Sequence, residues 1–112
     1  MSDAHDHAVV VGGSLAGLLA ARVLSDHFAR VTLVERDRYP DTPGYRPGIA
    51  QSRHVHVLWS RGLELCEDLF PGLEKELLAA GAHDVGIPSD LLWLTPVGWR
   101  RRFASTRLLT FS

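Results

Sequence analysis

Residues 9–24 read VVVGGSLAGLLAARVL, a stretch in which a membrane anchor, a secretory leader or a phosphate-binding turn can each be written. The uncharged run around it, Ala8 to Ala21, has 14 residues, short of the roughly 20 that a membrane-spanning helix requires. A secretory leader opens on positive charge, whereas residues 1–7, MSDAHDH, carry two aspartates, two histidines and neither Lys nor Arg. The third reading accounts for the glycines. AVVV is a short, apolar, β-branched run of the kind that forms a parallel strand buried on both faces. It runs directly into Gly12, Gly13, Ser14, Leu15, Ala16 and Gly17, after which Leu18 to Leu24 are good helix formers. The order is strand, tight glycine turn, helix, the helix being expected over residues 14–25.

Such a turn has a defined physical task. Its first glycine reverses the chain, its middle position brings backbone close to a pyrophosphate, and its last glycine lets helix pack on strand. The free N–H groups and positive end of the helix then face the phosphates. Gly12 and Gly17 occupy the outer places. Ser14 occupies the middle one, where its Cβ is an addition to the usual pattern and its hydroxyl is a possible donor to a phosphate oxygen. The second half of the unit follows in VTLVERD, where an apolar strand, Val31 to Val34, ends on Glu35. Glu35 stands 18 residues beyond Gly17, close to the spacing of about 20 at which an acid reaches the ribose hydroxyls of an adenine nucleotide. A carboxylate there favours the unphosphorylated ribose of FAD or NAD. Arg36, directly after it, keeps the 2′-phosphate of NADP as a lesser alternative.

The fold class expected is therefore α/β: a Rossmann-like FAD-binding βαβ unit, followed by a helical pair and short antiparallel strands, in an incomplete domain. Residues 1–7 form a flexible N-terminus and residues 8–112 the N-terminal part of an FAD/NAD(P)-binding domain. The loop RYPDTPGYRPGIAQSRH is the longest break in the chain, and it leaves the strand end at which an α/β sheet binds its ligand, which argues for a functional loop. VHVLWS suits either a short strand or the lead into a helix. From Ser60 onward Leu63, Cys66, Phe70, Leu73 and Leu77 recur at helical spacing. Pro71-Gly72 divides that helix in two, with the proline in the first turn of the second and Gly81 as its C-terminal cap. The last stretch, from Asp90, predicts two or three antiparallel strands. The final apolar run is followed at once by Ser112, an abrupt ending for a domain.

The whole-chain numbers exclude more than they assign. With 12 basic against 13 acidic residues among 112, the chain has no global field to hold nucleic acid or an anionic membrane. Its one cysteine, Cys66, forms no internal disulfide, fits a reducing cytoplasm and falls on the apolar side of its helix. His54 and His56 lack a third ligand at metal spacing, and His5-Asp6-His7 reads equally as a stray metal binder or a frayed polar end. Arg100 and Arg102 would share one face of a strand, with Arg101 on the other. Three arginines in a chain of net charge −1 make a thin nucleic-acid footprint, so a solvated hairpin, or contact with missing parts of the protein, is the expected role.

Taken together, VVVGGSLAGLLAARVL and VTLVERD resemble the N-terminus of flavin-dependent monooxygenases of the aromatic-hydroxylase class. The segment YRPGIAQSRHVHVLWSRGLELCEDLFPGLEKELLAAGA is similar to that of a bacterial subgroup that includes polyether epoxidases. The resemblance runs from Ala8 to about residue 104. It implies an FAD, a nicotinamide electron donor, NAD(P)H, and molecular oxygen acting on a small organic substrate. It also implies that Gly12 to Gly17 hold the pyrophosphate, Glu35 the ribose, and that Arg46, with Gln51 as a weaker candidate, sits beside the FAD. It assigns no catalytic acid or base. A later Gly-Asp motif and a substrate-covering sheet, both found in those enzymes, are absent here, so these 112 residues are expected to be inactive alone. The alternatives are a non-catalytic adenine-dinucleotide module and part of a flavin-dependent reductase or dehydrogenase.

Overall fold

The computed structural model describes residues 6–111 and resolves them into two compact units, one up to Arg53 and one from His54 onward. In the first, strand β1 (His7–Val11), helix α1 (Leu15–Leu24) and strand β2 (Arg30–Val34) form a βαβ unit. β1 and β2 pair in parallel, with Ala8 opposite Val31 and Val11 opposite Val34. Side chains alternate along a strand. Ala8, Val10, Val31 and Leu33 accordingly turn to the side that α1 covers, while Val9, Val11, Thr32 and Val34 are exposed. The expectation of a strand buried on both faces is thus corrected. Among the described residues only one face of this two-stranded sheet carries a helix, and the β-branched residues of the other face lie open.

β1 also begins one residue before the expected boundary. His7 belongs to the strand, its Nε2 lying 2.8 Å from the Thr32 hydroxyl while Arg30 donates to its Nδ1 at 3.1 Å. Asp6 precedes the strand, its carbonyl accepting from the Arg30 N–H at 3.1 Å, and residues 1–5, including His5, lie outside the described residues. Ser14 caps α1 in an extended conformation without spending its side chain on the helix. At the other end Arg22 pairs with Asp26 at 2.7 Å, and the Ser25 hydroxyl donates to the Arg22 carbonyl. The long loop after β2 ends in a short 3₁₀ helix, Ala50–Arg53.

In the second unit VHVLWS resolves as both of its expected alternatives: strand β3 (His56–Trp59) passes without a break into helix α2 (Ser60–Leu69). Helix α3 (Leu73–Ala79), strand β4 (His83–Ile87), the two-residue strands β5 (Leu94–Thr95) and β6 (Gly98–Trp99), and strand β7 (Thr106–Phe111) follow. β7 is the centre of an antiparallel sheet ordered β3-β7-β4. Its adjacent Leu108 and Leu109 point to opposite faces and both are buried, as are Leu63 and Cys66 on α2, which packs against β7. β5 and β6 form a separate hairpin.

Pro71-Gly72 does separate the two helices, but the proline precedes the cap rather than entering the first turn of α3. Gly72 is the N-cap, at φ 92°. With no side chain of its own to offer, it leaves the capping to Glu67 of the preceding helix. The Glu67 carboxylate accepts from the N–H of Glu74 at 2.9 Å and of Gly72 at 2.5 Å, which lowers its pKa. Gly81, at φ 104°, ends α3 as expected. Arg100–Arg102 fall between β6 and β7 and form no strand, so the case in which Arg100 and Arg102 would share a strand face does not arise. The ladder stops after the Arg100 N–H reaches the Trp93 carbonyl at 2.9 Å.

Candidate functional site

The turn between β1 and α1 is built by three glycines with three different reasons for being glycine. Gly12 adopts φ 101°, a left-handed conformation that a side chain disfavours, and its N–H donates to the Val34 carbonyl at 2.8 Å. Gly13 is buried, and a Cβ there would lie 2.8 Å from Leu33 Cδ2, 2.9 Å from Glu35 Oε2 and against the Tyr39 hydroxyl. Gly17 sits where α1 crosses the turn. A Cβ on it would overlap the Gly12 carbonyl oxygen and lie 2.9 Å from the carbonyl carbon, so helix and turn meet at backbone distance. The first helical bond is Leu18 N–H to Ser14 carbonyl, at 2.9 Å. The N–H groups of Leu15, Ala16 and Gly17 therefore have no partner within the helix, and the Ser14 hydroxyl is exposed beside them.

Glu35, at the end of β2, turns back onto this turn. Its Oε2 accepts from the Gly13 N–H at 2.5 Å and from Arg46 at 2.9 Å, and its Oε1 accepts from the Asp37 N–H at 3.0 Å. These three donors, the Asp37 N–H first, then the Gly13 N–H and the Arg46 guanidinium, lower its pKa to about 2. Glu35 is thus a fixed anion at neutral pH. A carboxylate offers about four acceptor positions, and this one retains roughly one, on Oε1.

Arg46 reaches the turn from the long loop. It donates to the Gly13 carbonyl at 2.8 Å, pairs with Glu35, stands 3.7 Å from Asp37, and lies over the Tyr39 ring at 4.5 Å from its centroid. The Tyr39 hydroxyl donates to the same Gly13 carbonyl at 2.7 Å, filling its second lone pair. The Arg46 side chain is 10% exposed, yet its Nε is buried with no partner. Leaving such a donor unpaired is unfavourable. Asp37 closes the arrangement by accepting from the Gly48 N–H at 2.9 Å.

These groups line a cavity of about 380 Å³, which includes the glycine turn from Gly12 to Ser14, Glu35, Arg36 and Arg46. Of the residues singled out in the sequence, Leu15 and Ala16 contribute the first turn of α1 beside it. Gln51 is exposed on the 3₁₀ helix and does not line the cavity. Arg36 lines it, is exposed, and has no ion pair among the described residues. Gly13 was singled out within the glycine turn, but not as its buried hub. Tyr39 and Asp37 were not legible beforehand: no motif marks them, and only their position four and two residues after a strand-terminal acid hints at a role. Among the described residues no three His, Cys, Asp or Glu side chains gather as a metal site, and no helix is long and apolar enough to cross a membrane.

A strand, a backbone-tight glycine turn, a helix with free N–H groups and an acid at the end of the second strand define a dinucleotide-binding βαβ unit. The FAD binding domain family matches residues 6–67, and the chain belongs to that family; FAD is the dinucleotide it binds. Protein Rv3254 of Mycobacterium tuberculosis is 46% identical over 93 residues, which cover 83% of this chain and 20% of that protein. Phytoene dehydrogenase of Streptomyces griseus is 37% identical over 99 residues, 88% of this chain and 18% of that enzyme. The 2,6-dihydroxypyridine 3-monooxygenase of Paenarthrobacter nicotinovorans is 37% identical over 93 residues, 80% and 23% respectively. The chain therefore spans about a fifth of the length of the curated relatives it matches.

The residues present fit the cofactor. At Gly12 the turn is exposed, with open space where a Cβ would stand, and the first turn of α1 offers N–H groups. The unpaired Arg46 Nε is a buried donor waiting for an acceptor.

Proposed function

We propose that this chain holds the ADP half of FAD within a flavin-dependent monooxygenase that hydroxylates or epoxidises a small organic substrate, with NAD(P)H as electron donor, in the cytoplasm. The carrying observation is the junction of the glycine turn with Arg46, whose Nε is buried and unpaired on a side chain that lines the cavity. In this reading the N–H groups of Leu15 and Ala16 and the Ser14 hydroxyl donate to the pyrophosphate. Gly13 has its N–H committed to Glu35 and supports the turn instead. Glu35 would accept from a ribose hydroxyl, and Arg46 would hold a cofactor oxygen. Arg36 stands ready as a second cation at the cavity.

Bound FAD supplies the redox chemistry; the protein's part here is to bind and orient it. Glu35, with a pKa of about 2, neither takes up nor releases a proton at neutral pH, and it acts as a fixed acceptor only. No side chain of this cavity is assigned as an acid or base, so the 112 residues are read as binding without turning over. A second reading, part of a flavin-dependent dehydrogenase, is supported by the relative named phytoene dehydrogenase, since the turn serves oxygenation and hydride transfer alike.

The test is a titration of the purified chain with FAD, followed by flavin fluorescence, with ADP as competitor. Saturable binding displaced by ADP is expected. A folded chain that binds FAD without competition from ADP, or not at all, refutes the assignment of this cavity to the ADP half.

A further inference from the structure

The second unit contains a cavity larger than the one at the glycine turn, about 740 Å³, and nothing in the cofactor reading uses it. Its walls come from the end of β4, at Ile87, and from the β5–β6 hairpin and the segment after it: Trp93, Trp99, Arg100, Arg101 and Phe103. Trp93, Trp99 and Phe103 are each more than half exposed, a concentration of aromatic surface that marks a binding region when it is contiguous. The concave shape and volume fall in the range of small-molecule sites, about 300–1,000 Å³, rather than of a flat protein or duplex contact.

Charge selects among small molecules. Of the other arginines of this unit, Arg61 pairs with Glu64 and Arg107 with Glu74 and Asp84, whereas Arg102, outside the cavity lining, has no carboxylate partner among the described residues. Among the described residues no carboxylate stands within ion-pair distance of Arg100 or Arg101, and no acid lines the cavity. The only acid between residues 88 and 111 is Asp90, whose carboxylate accepts from the Gly86 N–H at 2.7 Å. Arg100 is held in place by its backbone bond to Trp93 and by its guanidinium lying over the Trp93 indole, 5.2 Å from the centroid. A planar cation fixed on an aromatic face, with a second arginine beside it, matches the bidentate geometry of a carboxylate or related oxyanion. The surrounding rings match a flat apolar body.

We propose that this cavity is a separate binding site for a small planar organic anion, with Trp93, Trp99 and Phe103 packing its body and Arg100 and Arg101 receiving its charge. The proposal stands independently of the cofactor reading, because its residues and its ligand are different.

The test follows the indole N–H resonances of the chain's three tryptophans by NMR during titration with naphthalene-2-carboxylate and with the uncharged naphthalene-2-methanol. Trp59 lies on β3, away from the cavity lining, and serves as internal control. Saturable shifts are expected at Trp93 and Trp99 and not at Trp59, with the carboxylate bound about tenfold more tightly than the alcohol, the worth of one charge-assisted contact. Arg100→Gln combined with Arg101→Gln removes that preference, while Arg102→Gln, outside the cavity lining, retains it. All three positions are exposed, so circular dichroism and the FAD titration stay unchanged. Equal affinity for the two naphthalenes, shifts that never saturate, equal shifts at Trp59, or tighter binding of a single-stranded oligonucleotide than of the carboxylate would each overturn the proposal.

Discussion

Replacing Gly17 separates two effects that act in opposite directions. Gly17 lies inside α1, where alanine is intrinsically better than glycine by about 1 kcal/mol. At an unconstrained helical site Gly17→Ala would therefore stabilise the protein. Here the new Cβ meets the backbone of Gly12, with its carbonyl carbon at 2.9 Å and its oxygen closer still, and backbone cannot rotate away as a side chain does. Relief requires α1 to lift from β1, at an overpacking cost of roughly 1–3 kcal/mol. The net expectation is a loss of about 0–2 kcal/mol for Gly17→Ala. Gly17→Val loses more, because valine adds bulk and has poorer helix propensity. Displacing α1 also moves the N–H groups of Leu15 and Ala16, so FAD affinity falls at Gly17→Ala and disappears at Gly17→Val. Gly62 in α2 is the control, since its Cβ would meet only the Leu58 side chain, at 3.0 Å, and Gly62→Ala is expected to be neutral or stabilising. All three tryptophans lie in the second unit. Unfolding of the first unit is therefore best followed by amide hydrogen exchange in α1, with flavin fluorescence for binding. A Gly17→Ala protein with slower exchange than wild type, or a Gly17→Val protein with unchanged FAD affinity, would refute the close-approach argument.

Three further outcomes follow from the same structure. Because Glu35 has a pKa of about 2 against an ordinary 4.5, its contribution to stability is complete above pH 4.5 and is lost as pH falls towards 2; acid titration of β1–β2 amide exchange should show this step, and Glu35→Gln should flatten it. Arg46→Lys keeps the charge but cannot bridge the Gly13 carbonyl and the Glu35 carboxylate with one planar group, so FAD affinity is expected to fall about tenfold, and an unchanged titration would remove Arg46 from the site. Leu109, with no exposed surface at the centre of β7, should lose about 2–5 kcal/mol on Leu109→Ala, read as an earlier tryptophan-fluorescence transition in urea, with FAD affinity retained because the cofactor cavity belongs to the first unit.

The βαβ unit was legible because its signals are local. Strand, glycine spacing, helix and terminal acid are fixed by residues within about 30 positions of each other, the span of one such unit. Strand β4 was not, because HDVGI has neither alternation nor an apolar run. It is a strand because β7 lies beside it, pairing Val85 with Leu108 and Ile87 with Thr106. Arg100–Arg102 lie outside any strand for the complementary reason: the residues are strand-compatible, but no partner strand continues beyond Trp99.

At the cofactor site the division is similar. Sequence determined that Gly12 and Gly17 are glycines for backbone reasons and that Glu35 ends the second strand, since turn geometry and strand period are properties of neighbouring residues. Only the tertiary structure decided what the Glu35 carboxylate does before any ligand arrives. Most of its acceptor positions are filled by donors from Gly13, Asp37 and Arg46, which are brought together by the parallel pairing of β1 with β2 and the return of the long loop. Hydrogen bonding is directional and short-ranged, so which groups meet, and which donor is left over at Arg46, depends on three-dimensional approach that no spacing along the chain encodes.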